Sequence, residues 1–193
     1  MKRTLLFGLA GVTVLALLGW GVNVGLQYLG RKAPLDAPAA ATPAPAPTAH
    51  ITATLFYGAR DGLLLQPVRI EVPLAEGALA QGRQIVRALL QPPPAPYVPV
   101  IPPGTTLKAF YLTSGGDAFV DLSAEVTTKH TGGSMDEILT VYTIVNALTV
   151  NLPAITRVQI LVDGKEVDTL AGHVDLRNPL SKNLAWVTTE NPS

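Results

Sequence analysis

The chain has 193 residues, 14 basic and 14 acidic side chains, and no cysteine, which removes disulfides, thiol chemistry, cysteine metal ligands and lipid attachment at an N-terminal cysteine. Lys2, Arg3, Arg31 and Lys32 flank the first segment, so residues from His50 onward hold ten basic and thirteen acidic side chains, a net charge of −3. Such a domain lacks the basic field that nucleic acid requires, and no nucleic-acid partner is expected.

Thr4–Gly30 contains no charged residue and is dominated by Leu, Val, Gly and Ala. A helix of 20 residues rises about 30 Å, the depth of a bilayer's hydrocarbon core. The competing reading is a cleaved signal peptide, whose apolar run is usually only about 7–15 residues. Small-residue cleavage patterns occur at Ala39–Ala41, well past the apolar run. The expectation is therefore a retained anchor in the bacterial cytoplasmic membrane (residues 1–32). It is single-pass, with the N-terminus inside and the domain outside. Gly21 and Gly25 have GxxxG spacing, but glycine is common in membrane helices and the spacing is read as incidental.

Ala33–Thr48 carries Pro34, Pro38, Pro43, Pro45 and Pro47 among alanines. Proline favours extended polyproline II, and residues this small build no core. Residues 33–49 are read as a tether reaching about 50 Å, at about 3.1 Å per residue.

The remaining residues, 50–193, are read as one domain. His50–Tyr57 is β-branched and aromatic, hence a strand. A turn over Gly58–Gly62 leads to a second extended stretch, Leu63–Val72. Glu76–Gln91 is the first helix, with Ala78, Gly82, Ile85, Val86, Leu89 and Leu90 on one side and Arg83, Gln84 and Arg87 opposite. Pro92 ends it. Pro92–Gly104 holds seven prolines around Tyr97 and reads as a stiff crossover. Strands at Leu107–Thr113 and Ala118–Leu122 join through Ser114-Gly115-Gly116-Asp117 as a hairpin, with Asp121 alternating outward as a solvated or capping carboxylate.

Residues 135–152 pair a helical spacing (Ile138, Val141, Val145, Leu148, Leu152) with many β-branched residues that favour strand. Ser134 and Glu137 stand in capping-box register, and no Gly or Pro interrupts the run, so helix is the reading. Met135, Leu139 and Tyr142 form a second apolar row. Either the domain covers that row itself, or it meets another molecule, which makes these three residues the candidate interface. Arg157–Val162 then returns through an Asp163-Gly164 turn into Lys165–Leu170. The order predicts an α+β domain: a mainly antiparallel or mixed sheet with two helices packed on one face.

No GxSxG, GxxxxGK, HExxH or GxGxxG motif is present, and no catalytic residue is assigned. His50, His130 and His173 are not at metal-ligand spacing. His173 and Asp175 point the same way on an extended segment, but a zinc site needs three or four ligands. Asp117 and Asp121 span a turn and a strand, which does not bring them together. No metal or cofactor is expected.

Five motifs in sequence carry a resemblance: IPPGT (Ile101–Thr105), VDLS (Val120–Ser123), GGSMDEILTVYTIVNAL (Gly132–Leu148), VQILVDG (Val158–Gly164) and GHVDL (Gly172–Leu176). Their order and spacing resemble the GerMN domain of GerM-type sporulation and spore-germination proteins, from near Ile51 to about Pro179. Ala147 follows Asn146 where that family commonly has Thr. The resemblance implies a ring-building-like fold and a non-catalytic cell-envelope module that self-associates or docks on a protein complex. It gives GHVDL a part in closing the fold. Such proteins are often lipoproteins with two such domains, whereas this chain has room for one and an apolar segment in place of the lipid cysteine. Relatives with one domain also occur in bacteria that form no spores. A second reading is a cell-wall glycan module using Tyr97 and the Pro92–Gly104 segment, with Trp186 the only tryptophan outside the apolar segment. An envelope hydrolase is a third.

Overall fold

A computed structural model describes residues 49–189. The expected anchor Thr4–Gly30, its Gly21/Gly25 pair and the expected tether Ala33–Thr48 lie outside the described residues. Among the described residues no helix is long and apolar enough to cross a membrane.

Strands β1 (His50–Gly58) and β2 (Leu65–Pro73) pair antiparallel, from His50 opposite Pro73 to Gly58 opposite Leu65. They form a two-stranded sheet of their own. The second sheet holds β3 (Leu107–Leu112), β4 (Asp117–Leu122), β5 (Arg157–Val162), β6 (Lys165–Glu166) and β7 (Leu180–Ser181). β3 and β4 form the expected antiparallel hairpin, but β4 and β5 run parallel. A parallel pair needs a long crossover, and helix α3 (Ser134–Asn151) supplies it. Helix α1 (Gly77–Leu89) follows β2, and the short α2 (Glu125–Thr128) follows β4.

The expected α+β composition and mixed sheet are present, with one addition: β1 and β2 make a second sheet, so the long helices meet two sheets and not one. Helix α3 touches β1 of the hairpin as well as β5 and β7 of the larger sheet, with α1 against it. That position explains the two apolar sides read from its sequence. Leu139, Val141, Ile144, Val145, Ala147 and Leu148 are all buried. Each large aliphatic side chain among them stabilises the fold by about 1.5–3 kcal/mol, enough to override the strand preference of the β-branched residues.

Helix α1 is amphipathic as expected: Ile85, Val86 and Leu89 are buried, while Arg83 and Arg87 face solvent. Its Gly82 sits on the Phe110 ring, and a Cβ there would come within 2.5 Å of Cζ. Only glycine lets α1 approach β3 this closely. Asp163 (φ 51°) and Gly164 (φ 76°) are both left-handed, as the predicted type I′ turn demands.

Two local expectations fail for tertiary reasons, and a third holds in only one of its two forms, the capping carboxylate. The capping box does not form: Gly133 is the N-cap of α3, and Glu137 turns into the domain. Asp121 is not solvated. It lies on β4, paired on both sides, and accepts the Gly164 N–H at 2.7 Å while 7% exposed. The strand expected over Lys165–Leu170 stops at Glu166, because Leu170 N–H goes to Glu137 and the Asp168 carbonyl accepts Leu176 N–H.

Candidate interface at the N-terminal end of helix α3

Helix α3 carries four buried polar residues at steps of three: Glu137, Thr140, Thr143 and Asn146. At 3.6 residues per turn each step retreats about 60°, so the four wind around the helix. Each therefore meets a different stretch of main chain. Glu137 accepts N–H groups of Leu170 (2.8 Å) and His173 (2.7 Å) and lies 3.2 Å from His173 Nδ1. Thr140 donates to the Val100 carbonyl and Thr143 to that of Phe56. Asn146 makes a two-way amide pair with Asn183, at 2.8 and 3.0 Å.

These anchors fix the loops around the helix. Burial works against ionisation of Glu137, but the main-chain N–H groups of Ala171, His173, Leu170 and Val174 together outweigh it and hold the carboxyl below its usual range. The GHVDL segment thus closes over a buried carboxylate. His130 Nδ1 accepts Gly132 N–H at 3.0 Å, so the proton sits on Nε2 and is donated to Thr140 Oγ1 at 3.2 Å. The hydroxyl in turn donates its own hydrogen bond to the Val100 carbonyl. This relay ties the start of α3 to the proline-rich crossover.

The crossover itself lies against the end of β1. Gly58 and Val98 exchange hydrogen bonds of 2.9 and 3.0 Å, and Val98 Cγ2 would be 2.6 Å from a Cβ at Gly58. A groove opens on each side of Pro99–Pro103. One, of about 210 Å³, is walled by Val98, Ile101, Lys129, His130, Asp136 and Leu139. The other, of about 280 Å³, lies against Tyr57, Leu89, Pro92 and Thr143.

The predicted row divides over these surfaces. Met135 is 37% exposed, Tyr142 is half-buried against the core, and Leu139 is 2% exposed at the floor of the first groove. Leu139 is thus a core residue, because the crossover covers its side of α3. The exposed Val98 was not singled out from sequence, since its exposure follows from the pairing with Gly58. Asp136, beside Met135, accepts from Thr131 Oγ1 at 2.9 Å.

The other titratable candidates are dispersed. His173 stays with Glu137, and Asp175 makes a bidentate pair with Arg177 at 2.7 and 2.9 Å. That guanidinium holds Asp175 down at about 2. Asp117 pairs with Arg157 at 2.7 and 2.8 Å, far from the Gly164 partner of Asp121. Among the described residues no three His, Asp or Glu side chains gather as a metal site. Tyr97 and Trp186 are both half-buried against the core, and among the described residues the most exposed aromatic is Tyr111, at 56%.

The Germane family, described as sporulation and spore germination, matches residues 54–168, more than half of the chain. A candidate lipoprotein from Clostridium perfringens is similar in structure, with 27% identity and a TM-score of 0.50 over 69% of this chain and 88% of that one. The first GerMN domain of the sporulation protein GerM from Bacillus subtilis matches at 21% identity and a TM-score of 0.51, covering 69% of this chain and 96% of that domain. The tandem GerMN domains of the same protein match at 20% identity and 0.52, and there the chain spans only 46% of the relative's length. No curated protein matches the chain.

Proposed function

The chain belongs to the Germane family of sporulation and spore-germination domains, and from that premise we propose that it is a non-catalytic cell-envelope module acting in protein-complex assembly. In this reading Thr4–Gly30 anchors it as a single pass in the cytoplasmic membrane. The tether of residues 33–49 then holds residues 50–193 outside. The candidate lipoprotein among the similar structures supports a place in the envelope. The observation that carries the assembly reading is the end of α3. There, exposed Met135 stands beside a groove whose apolar floor includes Leu139 and whose rim carries Lys129 and Asp136. Apolar floors with charged rims are the make-up of protein interfaces.

A photo-cross-linker placed at Met135 of the full-length protein in membranes tests this, with the same label at Val150 as the control. Val150 is 38% exposed at the other end of α3. The expected result is a discrete adduct, with a second protein or a second copy, from position 135 alone. Equal or absent labelling from the two positions would overturn the reading. N-terminal sequencing of the membrane fraction tests the anchor, which a mature start near Thr42 would refute.

A further inference from the structure

Strand edges leave main-chain donors and acceptors unpaired, and such edges invite another strand. Most edges in this domain are blocked. On β1, Thr54 is capped by the Asn151 amide, Phe56 by Thr143, and Gly58 by Val98. On β2, Leu65 is taken by Trp186 and Thr188, while Pro67 and Pro73, two and eight residues further along the same edge, offer no N–H. The far side of the larger sheet ends in β6 and β7, two residues each.

Strand β3 differs. Thr113 N–H donates to the Asp117 carbonyl, so by alternation Tyr111 bonds to β4 while Phe110 and Leu112 turn their main-chain groups outward. Arg83 Nη2 confirms that direction by donating to the Phe110 carbonyl at 3.2 Å from outside the sheet. No proline interrupts β3. A groove of about 210 Å³ runs beside it, lined by Arg83, Arg87, Lys108 and Tyr111 among others and by no acidic side chain. Lys108 is neutralised by Asp163 at 2.8 Å, but Arg87 has no ion-pair partner among the described residues.

We propose that the outer edge of β3 over its regular part (Ala109–Leu112), past the bulge at Lys108, takes up an extended acidic segment of a protein partner as an added strand. Its carboxylates would sit on Arg83 and Arg87. Spacing as well as sign supports this occupant. Side chains four apart on a helix stand about 5–6 Å from each other, and alternate residues of a strand about 6.6 Å apart. Acidic residues at every second position therefore match the two guanidinium groups. A second copy of this edge would bring its own arginines and is disfavoured by like charge. The mode is strand addition, in which main-chain bonds supply affinity and side chains supply choice. The inference rests on the assembly reading but uses a surface separate from the groove floored by Leu139.

The test is fluorescence anisotropy with the full chain in detergent and a labelled peptide of alternating threonine and glutamate, about ten residues long, enough to span a strand of the usual length of about five or six residues. The glutamate peptide should bind, and its lysine counterpart should bind at least about tenfold more weakly, a difference of 1.4 kcal/mol. Arg87→Glu, with its circular dichroism unchanged, should weaken the glutamate peptide by at least about tenfold and strengthen the lysine one. N-methylation of alternate peptide nitrogens on the side facing β3 should weaken binding as much. Amide exchange at Phe110 and Leu112 should slow on binding. Binding that survives N-methylation would mean charge attraction without strand addition and would overturn the proposal, as would no binding at about 1 mM peptide. Failure here leaves Met135 cross-linking untouched, whereas loss of both would remove the assembly reading itself.

Discussion

Strands β1 and β3 both lie at the rim of a sheet, yet they are held in opposite ways. β1 is held by its edge: Asn151 lies along Thr54 like a residue of a neighbouring strand, giving and taking hydrogen bonds of 2.7 and 2.8 Å. β3 is held by its face, where Phe110 is fully buried beneath Gly82, while among the described residues its outer edge has only the Arg83 contact. An edge filled by side chains of the same domain is closed to other chains. An edge covered by one exposed arginine is not. The contrast separates the part of the sheet system that completes the fold from the part left for contact.

The largest expected effect comes from opening the β1 edge. Asn151→Ala leaves the Thr54 N–H and C=O without partners, and each orphaned group costs about 1–3 kcal/mol. A loss of about 2–4 kcal/mol should lower the Tm of the protein by roughly 5–10 °C. Asn151→Asp keeps the acceptor and loses the donor, so it should fall between. A melting curve for Asn151→Ala within a degree of the parent would show that water replaces the amide freely and that β1 does not depend on its edge.

Next comes the carboxylate that closes the GHVDL segment. Glu137→Gln keeps the shape but presents an amide to main-chain donors, and should cost about 2–3 kcal/mol at neutral pH. The folded protein holds this carboxyl below its ordinary value near 4.5, so its contribution is full above that value. It is lost as pH falls through it toward the lower folded value. Urea unfolding should show the parent losing more stability than Glu137→Gln between pH 7 and about 3. Parallel losses in the two proteins would remove Glu137 as the acid-sensitive lock.

A third substitution addresses the face of β3. Gly82→Val places carbon where the Phe110 ring already lies, and overpacking of this kind costs about 1–3 kcal/mol. Phe110→Leu in the same chain should recover part of that loss, since the two positions share one contact. If the double variant is no better than the sum of the singles, the helix is positioned by something other than this contact.

Legibility in the sequence follows the range of the deciding interaction. The β3–β4 hairpin, the Asp163-Gly164 turn and the amphipathic α1 were readable because neighbouring residues decide them. The Ser134/Glu137 pattern was local too, but four main-chain N–H groups of the 170–174 segment offer Glu137 more than the capping box does. Thr143 and Asn151 find their partners on β1, 87 and 97 residues away, and no local signal marks them as edge-fillers. At the candidate interface, periodicity groups Met135, Leu139 and Tyr142 as one row without separating exposed Met135 from buried Leu139. It could not show that the proline-rich crossover lies over Leu139, because proline content signals stiffness and not destination.

The smallest effects should come from the β3 edge itself, and they decide whether the contrast with β1 stands. Arg83→Ala removes one hydrogen bond from a carbonyl that water can reach, so the change in stability should stay within about 0.5–1 kcal/mol. Lys108→Ala breaks a pair whose side chains are 48% and 46% exposed, and screened pairs of that kind contribute little. Its melting temperature should be indistinguishable from the parent's. Should Arg83→Ala destabilise the domain as much as Asn151→Ala, β3 would depend on its edge just as β1 does. An incoming strand would then have to break the fold to displace Arg83, and the edge would be a closed structural seam.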